Sequence, residues 1–97
     1  MKKIYICGKV TGDPDYREKF KKAETRLYQL GYFPTNPAGL ISPKTEWELA
    51  MKHAVRAMLL CDGVCLLPDW KRSKGAGIEA RLARGLGMDV REIDKWT

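Results

Sequence analysis

Apolar residues along this chain alternate between short continuous runs and stretches spaced at three and four residues. Ile4-Tyr5-Ile6-Cys7 is a β-rich run, and Gly8-Lys9-Val10-Thr11-Gly12 follows it as a loop. From about Pro14, the residues Tyr16, Phe20, Ala23, Leu27 and Leu30 fall on one face of an amphipathic helix whose other face is charged. Gly31 is placed to stop it. Tyr32 to Asn36 reads as a second strand, restricted to a sheet edge by Pro34, and Pro37 to Ser42 as a loop. Thr45-x-x-Glu48 has the form of a capping box just after Pro43. It opens a second helix with Trp47, Met51, Ala54, Val55, Met58 and Leu59 on its apolar face. Asp62-Gly63 breaks that helix, and Val64 to Leu67 is a buried strand. Ile78, Leu82, Ala83 and Leu86 mark a third helix from about Ala76 to Leu86, stopped by Gly87. Met88 to Ile93 forms a last strand, and Asp94 to Thr97 a tail in which Trp96 has no assigned role.

The order β-α-β-α-β-α-β predicts an α/β fold with a parallel sheet and helices on both faces. Ninety-seven residues suffice for one domain, spanning 1–97. The expected architecture is a single three-layer flavodoxin-like or Rossmann-like domain. Right-handed crossovers arrange its four strands in the order 2-1-3-4. The order reverses between strands one and three, where ligands bind outside the strand C-termini. The two loops at that place, Gly8–Gly12 and Asp69–Gly77, are the chain's two glycine-bearing loops.

The net charge of +6, from 18 Lys and Arg against 12 Asp and Glu, favours anionic partners. The basic residues are scattered, with Lys19, Lys21, Lys22 and Arg26 on a solvated helix face. No basic stripe or recognition helix appears, so nucleic acid is not the expected partner. Cys7, Cys61 and Cys65 include no Cys-x-x-Cys pair, and His53, read as a helix-surface residue, is the single histidine. Reduced thiols in a cytoplasmic protein, with neither metal nor organic cofactor, are expected. The apolar run after Met1-Lys2-Lys3 ends too early for a signal peptide, and no stretch is long enough to span a membrane. A chain this small is expected to form a homo-oligomer, a dimer or larger.

Gly8-Lys9-Val10-Thr11-Gly12 lacks the Gly-Lys-Ser/Thr end of a Walker loop and the G-x-G-x-x-G of a dinucleotide site. It offers backbone amides and the Thr11 hydroxyl to a ligand, or is only a tight turn. Ser73-x-Gly75-x-Gly77-x-Glu79 is more specific. Its amides can approach an anion at a helix N-terminus, and Glu79 follows within two turns. Taken alone, Glu79 is also what a helix dipole favours. As a functional group, a carboxylate there suits a sugar hydroxyl or attack on an anomeric carbon. Trp70 reads either as a base-stacking platform or as a packing anchor. Arg72 and Lys74, flanking Ser73, suit a phosphorylated substrate or plain solvent. Asp62 reads as structural.

These motifs resemble the nucleoside 2-deoxyribosyltransferase superfamily, and within it the small branch known as domain of unknown function 4406. The resemblance covers nearly the whole chain. It rests on Ile4-Tyr5-Ile6-x-Gly8-x-x-Thr11-Gly12, Leu30-Gly31, Asn36-Pro37, Cys61-Asp62, Leu66-Leu67-Pro68-x-Trp70 and Ser73-x-Gly75-x-x-x-Glu79. It implies Glu79 as the nucleophile that attacks C1′ of deoxyribose. It also implies Ser73 in the substrate pocket, near any 5′-phosphate, and Tyr5 or its neighbours on the sugar. Lys9, Gly12, Trp70, Gly75 and Gly77 complete the expected binding set with Gly8 and Thr11. One position departs from the pattern: the family's aspartate on the second helix falls on Ala54. Asp69 is then the candidate acid for the leaving base. The expected function is cleavage or transfer at the N-glycosidic bond of a deoxynucleoside or its 5′-monophosphate. The alternative is a catalytically inactive nucleotide-binding module.

Overall fold

A computed structural model describes residues 1–97. The β-rich run becomes β1 (Lys3–Cys7), the amphipathic stretch α1 (Tyr16–Gln29) and the Pro34 segment β2 (Phe33–Thr35). A one-turn helix α2 (Pro37–Leu40) precedes α3 (Trp47–Leu59) and β3 (Gly63–Leu66). Then follow a 3₁₀ turn at Trp70–Arg72, α4 (Lys74–Gly85), β4 (Asp89–Glu92) and a closing 3₁₀ turn at Ile93–Lys95. All strand pairs are parallel, and the sheet order is β2-β1-β3-β4. Tyr5 pairs with Thr35 on one side and Val64 on the other. Pro34 sits in an edge strand, where its missing N–H costs no ladder bond.

Alternation along β1 and β3 divides the core into two layers. Ile4, Ile6 and Cys65 face α1, against Phe20, Ala23 and Leu27. Tyr5, Cys7, Val64 and Leu66 face the other way, against Ala54 and Met58 of α3 and Ala76, Ala80 and Ala83 of α4. The alanines let α4 lie close to the sheet, which carries Glu79 down to the level of Tyr5 and Cys7. Trp96, without a role in the sequence pattern, is buried on the α1 face. Its indole N–H donates to the Arg91 carbonyl at 3.0 Å, and its ring meets Tyr32 edge-on at 5.4 Å. Asp62 accepts the Lys3 N–H at 2.8 Å and tethers the start of β3 to β1.

Three local expectations change. Pro37 to Ser42 is not all loop: Asn36 caps α2 by accepting the Ala38 N–H at 2.9 Å, and Pro37 supplies a preset φ. The Thr45 capping box is not formed; Glu46 is the N-cap residue of α3, without a side-chain cap. Helix α4 begins two residues early because the Ser73 hydroxyl accepts the Ala76 N–H at 3.2 Å. No helix is long and apolar enough to cross a membrane.

Candidate active site

Glu79 occupies the second turn of α4, on the side that packs against β1. Its exposure is only 5%, yet it lines a cavity. The Tyr5 hydroxyl donates to its Oε2 at 2.7 Å, and the Cys7 thiol donates to Oε1 at 3.4 Å. Two residues apart on one strand, Tyr5 and Cys7 necessarily point to the same face. Burial pushes the Glu79 carboxyl up to about 7, against the opposing pull of these two hydrogen bonds. Burial and then the neighbouring Glu79 charge raise both the Tyr5 hydroxyl and the Cys7 thiol. The group that titrates in the neutral range is therefore the carboxyl. A buried carboxyl that still reaches a cavity is suited to nucleophilic or proton-transfer chemistry.

The cavity has a volume of about 350 Å³ and opens at the C-terminal edge of the sheet. Glu79, Tyr5 and Gly8 form its floor; Thr11 and Tyr16 close one side. Ile41, Ser42 and Pro43, with Trp47, Met51 and Ala54 of α3, make the facing wall. Ser73, Gly75 and Ala76 bring the N-terminus of α4 to the rim. Gly75 gives room to α3: a Cβ there would stand 2.8 Å from Met51 Sδ, and the methionine side chain would have to shift. Gly8 is equally tight, since its Cβ would fall 2.7 Å from Leu67 Cδ1. Both glycines let neighbouring elements close around the space.

Six of the expected residues thus meet at one place: Tyr5, Gly8, Thr11, Ser73, Gly75 and Glu79. Lys9, Gly12, Asp69, Trp70 and Gly77 do not line it. Asp69 accepts the Lys9 N–H at 3.1 Å and forms an ion pair with Lys19. Burial pushes its carboxyl upward, but the Lys19 ammonium and the Lys9 amide outweigh that and hold it below its ordinary value. Asp69 is an ionised anchor for the β1 loop, not an acid facing the cavity. Lys19 also bonds Asp13 at 2.5 Å and the Lys9 carbonyl at 2.8 Å, so one ammonium ties α1 to both loops. The Trp70 ring lies under the Arg84 and Lys71 cations, at 5.2 and 5.7 Å, outside the cavity lining. Gly77 is buried beside the Arg81 side chain.

Trp47, Met51, Tyr16 and the 41–43 segment line the cavity without having been singled out. A helical apolar stripe looks the same whether its neighbour is core or cavity. The sharper signal was Trp47, a large aromatic in the first turn of an amphipathic helix. Lys74 stands 4.6 Å over its ring, across the rim. Ala54 is on the wall too, buried to 7% exposure. No cluster of three or more His, Cys, Asp or Glu side chains is placed to hold a metal ion.

The parallel sheet of order β2-β1-β3-β4, with helices on both faces and the cavity at its switch point, is a flavodoxin-like α/β fold. Residues 2–92 match the family model described as Domain of unknown function (DUF4406), and the chain belongs to that family. No curated protein matches it. The structure is similar to a 2-deoxyribosyltransferase from the psychrotolerant bacterium Bacillus psychrosaccharolyticus, with a TM-score of 0.72 and 19% identity over 93% of this chain. It is also similar to a 2-deoxyribosyltransferase from Leishmania mexicana, with a TM-score of 0.73 and 18% identity over 95% of this chain. At these identities the likeness is one of fold. The chain spans 70% of the first protein's length and 63%, less than two thirds, of the second.

Proposed function

We propose that this domain cleaves or transfers the N-glycosidic bond of a deoxynucleoside or its 5′-monophosphate. The observation that carries the reading is Glu79, buried beneath the cavity and held by Tyr5 and Cys7 with its proton leaving near neutrality. The ionised Glu79 oxygen forms a bond to C1′ as the C1′–N bond breaks, and the electron pair departs with the base. The Tyr5 hydroxyl, already bonded to Oε2, keeps the carboxylate oriented. No second carboxyl lines the cavity, so the departing base takes its proton from water at the open mouth. Water or a second base then attacks C1′ and frees Glu79. The α4 N-terminus, with the Ser73 hydroxyl and the Gly75 backbone at the rim, suits a 5′-phosphate. Trp47 and Tyr16 provide aromatic surface for the base.

A second reading is a nucleotide-binding module without turnover, favoured by one observation: Glu79 is the single carboxyl on the cavity lining, and Ala54 stands where the resemblance implies an aspartate. Chromatography for free nucleobase separates the two. Purified protein is incubated with the four deoxynucleosides and their 5′-monophosphates, with and without an acceptor base. Base release that vanishes in Glu79→Ala supports the enzyme. No release, with a nucleotide still raising the melting temperature, supports the binding module.

A further inference from the structure

Cys7 is fully buried on the α4 side of β1 and does not line the cavity. Its sulfur stands 3.4 Å from Glu79 Oε1 and 3.4 Å from the carbonyl oxygen of Ala76. A thiol carries one proton, so it donates to only one of these acceptors at a time. Tyr5 differs, because Glu79 Oε2 at 2.7 Å is the one acceptor of its hydroxyl. No other charged group bonds the thiol. On this face β3 presents Val64 and Leu66, α3 presents Ala54 and Met58, and Cys61 packs against the layer. Asp69 is bonded instead to Lys9 and Lys19, and Cys65 lies on the opposite face of the sheet.

The geometry points to Cys7 as a positioning residue for Glu79, a two-position donor whose hydrogen bond follows the charge on the carboxyl. With Glu79 ionised, Oε1 is a charged acceptor and draws the thiol proton. When a proton neutralises the carboxyl, the peptide carbonyl of Ala76 is the stronger acceptor. Rotation about the Cβ–Sγ bond then carries the S–H to it. The covalent half of the inference rests on the proposed role of Glu79 as nucleophile. As its oxygen bonds to C1′, the C1′–N bond breaks and the negative charge leaves with the base. The ester that remains is neutral, so the thiol turns to Ala76 again, and it returns when water or a second base frees the carboxylate. A thiol suits this task because S–H is a weak donor. It steadies the carboxylate without tying up the charge that attack requires. Two acceptors in reach also keep this buried donor paired in both states.

Infrared spectroscopy between about pH 5 and about pH 8.5, around the point where Glu79 exchanges its proton, tests this. Subtracting the spectrum of Cys7→Ala isolates the Cys7 S–H stretch, and subtracting that of Glu79→Gln isolates the Glu79 carboxyl stretch. The Cys7 stretch is expected to move to lower frequency as pH rises, because donation to a carboxylate weakens the S–H bond. Its midpoint is expected to coincide with the loss of the Glu79 carboxyl band, and in Glu79→Gln the stretch is expected to stay fixed. Cys7→Ala is expected to move the carboxyl midpoint upward by about half a pH unit, since a weak donor is lost. Cys7→Ser keeps a donor and strengthens it, so the midpoint is expected to move downward. In turnover the rising limb shifts with the midpoint, and Cys7→Ala at pH 7 is expected to release base about twofold more slowly than wild type. A Cys7 stretch that does not move with pH overturns the inference. So do carboxyl midpoints that the two substitutions leave unchanged or move in the same direction, as a packing role alone would have it. The infrared readout needs no turnover: a silent base-release assay counts against the proposed reaction, and an immobile S–H stretch counts against the two-position donor.

Discussion

The Tyr5 hydroxyl lies 2.7 Å from Glu79 Oε2, although 74 positions separate the two residues in the chain. The contact exists because β1 is central in the sheet and the alanine-rich face of α4 packs directly on it. Its effect is electrostatic. A hydrogen bond to the charged form of Glu79 offsets part of the burial that favours the neutral form. Tyr5→Phe removes that donor without emptying the space. The Glu79 proton is then expected to leave about one pH unit higher, as befits loss of one hydrogen bond to a charge. The pH profile of base release measures it: the rising limb shifts upward from near 7, and the rate at pH 7 falls.

The same carboxyl ties stability to pH. In the unfolded chain Glu79 releases its proton near its ordinary 4.5; in the fold it keeps the proton to about 7. The folded state therefore binds more protons between those values, and stability falls as pH rises through that window. The contribution is fully present below about 4.5 and is lost above about 7, a loss on the order of 3 kcal/mol. Glu79→Gln keeps the shape and cannot ionise. Its melting temperature is expected to exceed that of the wild type at pH 8 and to converge with it near pH 4.5. Parallel melting curves across the range would refute the raised value.

The strand order and half of the cavity were legible in the sequence because their signals are local. Four apolar runs separated by helical spacing define a doubly wound sheet, and glycines mark two of its loops. The facing wall was not legible. Residues 41–43 carry no periodicity, and Trp47 and Met51 have the spacing of ordinary core residues. The position of Asp69 outside the cavity lining was not legible for a different reason. Its ionic partner, Lys19, lies 50 positions away and reads in isolation as one more surface lysine. Trp96 was silent because the ring it packs against, Tyr32, belongs to the distant turn between α1 and β2.

Asp69 and Lys19 make a prediction that separates an anchor from an acid. Asp69→Asn retains an oxygen for the Lys9 N–H, which accepts no proton at working pH. Base release is expected to stay within a few-fold of wild type, with an unchanged pH profile; an acid would lose about a hundredfold or more. Lys19→Met leaves Asp13 and Asp69 without their shared cation. It is expected to cost about 1–3 kcal/mol by thermal melting and to speed amide exchange in the Gly8–Gly12 loop.

Ala54 offers the most direct test of how the cavity works. It lines the same cavity of about 350 Å³ as Glu79, on the wall formed by α3. Ala54→Asp would supply the second carboxyl that glycosyl transfer ordinarily uses, one group attacking C1′ while the other protonates the leaving base. A positioned general acid contributes about 10²–10⁴ in rate; with unoptimised geometry, a gain of about tenfold in base release is expected. The pH profile should then acquire a falling limb, since the new carboxyl acts only while protonated. Stability is expected to drop by about 1–3 kcal/mol, because the position is buried and a carboxyl there loses part of its hydration. A folded Ala54→Asp protein with no gain in rate and no falling limb would show that turnover does not wait on a second acid. With a silent wild type as well, that result would leave nucleotide binding as the cavity's function.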